Sequence, residues 1–339
     1  MKILIDSVYI HNGGGKEILD LIINYICENN LGKTFFFLID KRYNLPANSL
    51  KKIQYSVIQS GENNRKKFYK NNSFECYFSL NNVPPPINVK KKSIIYFHND
   101  LFLIPSKSKL GFVAILKNIF KKYYIVSKIK SNQEWCVQTK LMKKKLNQNF
   151  YIPENKIHVH PIFDPSKIKS EKTDSSFLYV CNSSKHKNHK ILMDAFIKAA
   201  KKIKDKIHLK LTLSKDDFIK SEYDREKIPS NLFIENMGVL NKESLSNLYL
   251  ESRFLIFPSL NESLGLPLIE AVNRGCYLIV SDKEYVKEVV NPSIIFNPYS
   301  SDSISEAIIN SLSKRKLKKS ELIIENKIDT FVKHLLEHV

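Results

Sequence analysis

Short apolar runs rich in Ile, Val and Phe alternate along the chain with stretches whose apolar residues recur every three to four positions. The first pattern marks buried strands, and the second lines one face of a helix. In the N-terminal half it predicts strands over 2–10, 34–40, 74–80, 93–98, 135–137 and 156–160, with helices over 18–28, 110–124 and 140–147. The C-terminal half repeats the alternation. Strands are expected over 177–181, 207–213, 232–235, 254–257 and 276–280, and helices over 190–202, 241–251, 267–274 and 302–313. Repeated strand–helix units of this kind predict an α/β fold of parallel sheets flanked by helices. A segment rich in Pro, Ser, Lys and Asp, residues 161–175, separates the two halves and reads as a linker.

Composition narrows the picture. The chain has 339 residues, enough for about two domains. No apolar run reaches the roughly 18–20 residues of a membrane-spanning helix. Asp6 interrupts the first apolar run, so a first strand is expected there and no export signal. The five cysteines (Cys27, Cys76, Cys136, Cys181 and Cys276) are scattered, with no Cys-x-x-Cys pair. A disulfide framework or a zinc site is therefore not expected, and a reducing cytosol fits. Net charge is +20 and unevenly placed: residues 1–170 hold 28 Lys and Arg against 11 Asp and Glu, residues 171–339 hold 26 against 23. An anionic partner on the first half would explain this, be it nucleic acid, membrane surface or phosphorylated substrate. The same lysines would also serve merely to solvate surfaces. Zinc-finger spacing, a recognition helix and an aromatic–basic RNA motif are all missing, which argues against nucleic acid.

In open parallel sheets ligands bind beyond the carboxyl ends of strands, and three segments there carry candidate chemistry. Gly13, Gly14 and Gly15 follow the first strand and open the first helix. Glycines let backbone approach a ligand, and a helix start offers unpaired N–H groups. This is neither a dinucleotide fingerprint nor a Walker loop, and a plain tight turn would look the same. His98 ends its strand on the same edge, as a satisfied structural residue or a reactive one. The strongest constellation is the run from Pro258 to Ala271, which holds Glu262 before the helix and Glu270, expected in its first turn, with Gly265 and Pro267 between. Two acids placed so can hold different parts of one ligand while the helix N-terminus faces an anion.

This last run resembles the Glu-x7-Glu signature of retaining glycosyltransferases of family 4 (group 1) type, which have the GT-B fold of two Rossmann-like domains. Other segments agree, in the family's order: the loop at Gly13–Gly15, the strand-end His98, residues 137–143 before the linker, residues 177–189 and residues 238–240. Residues 326–336 resemble the family's last helix. The resemblance implies an acceptor-side domain over 1–165, a nucleotide-sugar-binding domain over 172–318, and a C-terminal segment, 319–339, returning to the first. It implies catalytic roles for Glu262, His98 and Lys187. Donor binding would fall to Gly14, Gly15, Asn182, Lys187, Leu240, Glu262, Ser263, Leu264, Gly265, Leu266 and Glu270. Many members carry an arginine where this chain has Asn182, which leaves Lys187 as the clear cation of that loop, with Lys185 and His186 beside it.

The implied reaction moves a sugar, with retention, from a nucleotide-diphosphate donor to a hydroxyl of a glycan or a lipid-diphosphate-linked acceptor. Bacterial surface polysaccharide assembly (O-antigen, capsule or lipopolysaccharide) would be its setting. No Asp-x-Asp pair stands at a strand end, since Asp216 and Asp217 are adjacent. No cofactor and no divalent metal are therefore expected. Glu262→Ala and Glu270→Ala are each expected to lose most transfer with little effect on melting. Lysines 107, 109, 117, 121, 122, 128 and 130 share a segment with Phe112, Leu116, Ile119, Phe120, Tyr123 and Tyr124. A helix so composed suits an anionic membrane surface, so a cytoplasmic protein, peripheral on the inner face of the plasma membrane, is expected. Its apolar side would otherwise pack on the sheet. The alternative function is a non-catalytic carbohydrate-binding or scaffolding protein that kept the fold.

Overall fold

The computed structural model describes residues 2–100, 103, 112–168, 172, 176–220, 227–313 and 316–338, with backbone only over 112–118. The chain divides into two units, residues 1–164 with 326–339, and residues 165–325.

The first unit is built on seven parallel strands in the order β3-β2-β1-β4-β5-β6-β7. These are β1 (Ile3–Ser7), β2 (Phe35–Asp40), β3 (Gln54–Ile58), β4 (Cys76–Ser79), β5 (Lys92–Phe97), β6 (Gln133–Val137) and β7 (Ile157–Val159). Strand β1 is central and buried at every position, as a strand is when helices cover both faces of a parallel sheet, and it carries Asp6 and Ser7 inside with its apolar residues. Among the described residues, four helices connect the strands: α1 (Gly13–Glu28), α2 (Glu62–Asn71), α3 (Phe112–Ser127) and α4 (Lys140–Phe150). Helix α1 lays Ile18, Leu19, Ile22, Ile23 and Ile26 into the core. Thr139 starts α4, its hydroxyl accepting from Met142 N at 3.2 Å, a side-chain cap of the ordinary kind.

Two elements of this unit lie outside the sequence expectation. Strand β3 is an edge strand of half-exposed residues. Helix α2 carries no apolar stripe because it buries Arg65 and Tyr69 instead. Both reach the Asp6 carboxylate: Arg65 through Nε at 2.9 Å and Nη2 at 2.8 Å, Tyr69 through its hydroxyl at 2.9 Å. Periodicity in hydrophobicity is blind to a helix seated by a charge pair.

The second unit has six parallel strands in the order β10-β9-β8-β11-β12-β14. They are β8 (Phe177–Tyr179), β9 (Ile207–Leu211), β10 (Leu232–Asn236), β11 (Phe254–Phe257), β12 (Tyr277–Ser281) and β14 (Ile294–Phe296). The short β13 (Val290–Asn291) and β15 (Glu321–Leu322) pair antiparallel beside it. The helices are α5 (His189–Lys202), α6 (Lys215–Lys220), α7 (Lys242–Glu251), α8 (Leu266–Asn273), α9 (Glu284–Val289) and α10 (Ser301–Ser313), with α5 and α10 side by side. The expected α/β class with two parallel sheets is what the chain adopts.

The last helix, α11 (Ile328–Leu336), belongs to the first unit. Ile328, Phe331, Val332 and Leu335 enter the core there. Phe331 meets Phe78 and Tyr96 edge-on, at centroid distances of 5.1 and 5.6 Å, a favoured aromatic geometry.

Candidate active site

Each sheet reverses its strand order once, between β1 and β4 in the first unit and between β8 and β11 in the second. Beyond the carboxyl ends of strands at such a point lies the crevice where open α/β sheets take ligands. Most of the candidate residues lie beside these two places, whereas Leu240 follows β10 at the outer edge of the second sheet.

In the second unit the chain leaves β8 through Cys181 and Asn182, makes a single 3-10 turn over Lys185–Lys187, and enters α5 after Asn188 in left-handed conformation. Asn182 is exposed, and its Oδ1 accepts from Ser184 N at 3.1 Å, closing a local turn. Cys181 is no nucleophile here, since burial pushes its thiol pKa up to about 12. Lys187 turns inward and is only 8% exposed. Its ammonium lies 2.5 Å from Glu262 Oε1 and 5.5 Å from the centroid of Phe257, the last residue of β11. The two loops are also tied by backbone: Leu260 N donates to His186 O at 2.8 Å. Asn188 Nδ2 donates to Pro298 O at 2.7 Å.

After Glu262 and Ser263 the chain buries Leu264 and turns at Gly265, whose φ of +76° is the left-handed region. A side chain there would be strained, and its Cβ would come within 3.2 Å of Leu268 Cδ1. Leu266 and Pro267 then start α8 without a side-chain cap. Glu270 is not in the first turn as expected; the helix starts at Leu266, which puts Glu270 in the second turn. It is half-buried and accepts from the Tyr249 hydroxyl at 2.8 Å. It is therefore held by α7 and does not cap the helix dipole. Leu240 is half-buried in the turn Gly238–Leu240, where Gly238 has φ +73° and Val239 is 80% exposed.

In the first unit, Gly13, Gly14 and Gly15 are the opening residues of α1. Gly14 is exposed, while Gly15 is buried against His98. A Cβ on Gly15 would stand 3.0 Å from His98 Nε2 and 3.1 Å from Ile10 Cδ1. The glycine thus clears the space the imidazole occupies. His98 follows β5 directly. Asn82, in the loop after β4, accepts at Oδ1 from the backbone N–H of His98 at 2.6 Å and of Asn99 at 3.0 Å. Its Nδ2, 3.3 Å from His98 Nε2, is thereby the donor of that contact. A donated hydrogen makes Nε2 the acceptor nitrogen, so the neutral ring carries its proton on Nδ1. Burial lowers the His98 pKa to about 4, which keeps the ring uncharged at neutral pH.

Sequence reasoning missed Asn82, Tyr249 and the Asp6–Arg65 pair that anchors this edge. Asp6 Oδ1 also accepts from Asn81 Nδ2 at 3.1 Å, so the buried pair fixes the loop that carries Asn82. None of the three has a motif. What marks Asp6 and Arg65 is a charge inside, or packed against, an otherwise buried element.

Residues 162–329, about half of the chain, match the family model described as glycosyl transferases group 1. The O-antigen chain mannosyltransferase B of Escherichia coli is 33% identical over 81 residues, 24% of this chain and 21% of that protein. The O-antigen chain mannosyltransferase RfbU of Salmonella typhimurium is 24% identical over 204 residues, 58% of this chain and 56% of that one. The matches thus span from a fifth to just over half of these relatives' own length. In architecture the chain is similar to Anabaena HepE, solved in complex with UDP and glucose, with a TM-score of 0.68 at 12% identity over 93% of this chain and 90% of that one. The glycosyltransferase signature and the paired parallel sheets thus agree with the comparisons: the chain belongs to the glycosyl transferases group 1 family and has the GT-B fold.

Proposed function

We propose that the protein transfers a sugar, with anomeric retention, from a nucleotide-diphosphate donor to a hydroxyl of a glycan or lipid-linked glycan, in O-antigen or lipopolysaccharide assembly. The observation that carries this reading is the Lys187–Glu262 pair at the strand-order switch of the second unit. A nucleoside diphosphate leaving group gains charge as the glycosidic bond breaks, and preformed positive groups lower that barrier. Lys187 has three N–H donors. One meets Glu262, and the others are available to a diphosphate without the carboxylate being released. The start of α8 adds the positive end of a helix dipole.

Glu262 would accept hydrogen bonds from hydroxyls of the donor sugar. Glu270, braced by Tyr249, would accept from the ribose, and the exposed Val239 would lie against the base. On the first unit, Gly14 presents backbone, and burial keeps His98 neutral. Front-face departure, the leaving phosphate itself taking the acceptor proton, would need no nucleophile from the protein. No metal takes part in the proposed reaction.

A hydrolysis and transfer screen across nucleotide sugars tests this. One donor should be consumed with retention, and chelated protein should keep its turnover at a temperature where it stays folded. Activity that returned only on adding magnesium or manganese would overturn the metal-free account. Turnover of no donor, with nucleotide binding intact, would favour the non-catalytic alternative.

The membrane surface is a second proposal, favoured by α3. Lys107 and Lys109 lie outside the described residues, as do the side chains of Phe112, Leu116 and Lys117. Beyond them Phe120 and Tyr123 are each 71% exposed, next to Lys121 and Lys122. An outward apolar pair among lysines fits an anionic bilayer.

A further inference from the structure

We propose that the first unit binds a divalent transition-metal ion, zinc in type, through Glu134, His158 and His334. Glu134 stands near the start of β6, and Cys136, two residues on, pairs in register with His158 of β7. Alternation along a strand therefore puts Glu134, Cys136 and His158 on one face of the sheet. That face is the one covered by α11, which brings down His334; Cys136 and α11 share a core there. Glu134 Oε2 lies 3.2 Å from His158 Nε2 and 3.2 Å from His334 Nε2. The three ligand atoms all fall within 4.8 Å of one another.

Two observations separate this group from an ordinary polar cluster. All three atoms are sealed from solvent, and none has a hydrogen-bond partner. At 3.2 Å a ring N–H aimed at the carboxylate would count as a hydrogen bond. The imidazole nitrogens therefore point beside the oxygen, as ligands of a shared ion do. Tetrahedral zinc with bonds of about 2.0–2.2 Å separates its ligands by roughly 3.3 Å, close to the two 3.2 Å separations from Glu134 Oε2. Leaving three buried polar atoms without partners is costly, and one cation would satisfy them together.

Two imidazoles and one carboxylate suit zinc and its neighbours better than magnesium or calcium. Lys92 pairs with the other carboxylate oxygen, Oε1, which leaves Oε2 as the single ligand atom. Its charge opposes a second cation nearby, so binding weaker than that of cysteine-rich sites is expected. The ligands lie far apart in the sequence, and the expectation of no zinc site rested on cysteine spacing alone. The site sits toward the amino end of β6, whereas His98 lies past the carboxyl end of β5. The ion would brace α11 on its own sheet and take no part in transfer.

The test uses the full-length, untagged protein stripped by chelation. Titration with Zn²⁺ against a chromophoric competitor should give one equivalent per chain and a raised melting temperature. Co²⁺ should give the d–d absorption of a low-coordinate nitrogen–oxygen site. His158→Ala and His334→Ala should each weaken Zn²⁺ binding by more than the ~10–100-fold typical of losing a supporting partner, with circular dichroism reporting whether each variant folds. The Co²⁺ spectrum of the unaltered protein decides the question if neither does. Failure of the stripped protein to take up an equivalent of Zn²⁺, or unchanged affinity in folded variants, would overturn the proposal. Both outcomes are independent of donor turnover.

Discussion

The Lys187 ammonium and the Glu262 carboxylate, 2.5 Å apart, are both withdrawn from solvent, with side-chain exposures of 10% and 14%. Neither can be removed without leaving the other as an uncompensated, nearly buried charge. The expectation that Glu262→Ala spares stability therefore changes. Breaking a buried pair costs about 3–5 kcal/mol, and this one, slightly open to water, should fall at the lower end. Glu262→Gln and Lys187→Met should each lower the melting temperature by several degrees and abolish transfer. Joining them should restore most of the melting temperature but none of the transfer. Calorimetry of the double-mutant cycle, run beside a donor assay, checks this. Additive losses of stability would mean that the two side chains do not interact.

The tautomer of His98 can be measured directly. Asn82 fixes Nε2 as the acceptor, so ¹⁵N chemical shifts should report a proton on Nδ1. The folded pKa of about 4 lies below the ~6.5 of an unfolded histidine. Between those values the unfolded chain binds the additional proton, so stability rises with pH there. The contribution is full above about pH 6.5 and is lost as pH falls toward 4. Melting curves of the unaltered protein and of His98→Gln should therefore converge on acidification. Gly15→Ala, whose methyl would meet the ring at 3.0 Å, should displace His98 and depress transfer despite alanine's better helix propensity.

Asp6 and Arg65 are fully buried, with two hydrogen bonds between them and further ones to Tyr69, Asn81 and Glu62. Arg65→Ala should be among the most damaging substitutions in the first unit, by about 3–5 kcal/mol. Arg65→Lys should recover only part of this, because an ammonium lacks the planar fork that grips Asp6 and Glu62 together. Denaturant unfolding of the two variants measures the difference. A loss under about 1 kcal/mol for Arg65→Ala would deny the pair its structural role.

The architecture was legible because hydrophobic periodicity reports burial, and most strands and helices here are held by apolar packing. Strand β11, residues 254–257, was legible to the residue because its ends coincide with a change from apolar to polar chemistry. Helix α2 was not, since Arg65 and Tyr69 hold it through Asp6, a partner distant in sequence. Glu262 and Glu270 could be singled out by spacing, but the second turn of Glu270 depended on where Gly265 places the helix start. The pairing of Lys187 with Glu262 depends on loops from two strands that adjoin only in the sheet order. Glu134, His158 and His334 were invisible for the same reason: strand register and the docking of α11 bring them together.

The described part of α3 has two distinct sides. Ile125 is buried in the core cluster, and the Tyr124 hydroxyl donates to Glu62, which seats the helix on its unit. Phe120, Tyr123 and Val126 are exposed at 71%, 71% and 40%, and their spacing of three puts them on one side. The helix thus packs inward and still presents apolar surface outward, flanked by Lys121 and Lys122. Each lysine near an anionic bilayer contributes on the order of 1 kcal/mol, and the inserted rings add their transfer energy. Cosedimentation with vesicles of graded anionic lipid content should show binding at low salt that high salt reverses. Lys121→Glu with Lys122→Glu should weaken it at every anionic content. Phe120→Ser with Tyr123→Ser should weaken it even at the highest content, where charge alone would otherwise suffice. Donor hydrolysis in solution should be unchanged in both double variants, since neither pair belongs to the proposed donor-binding set. Absence of binding to anionic vesicles at low salt would rule out the surface role and leave the exposed rings for another partner.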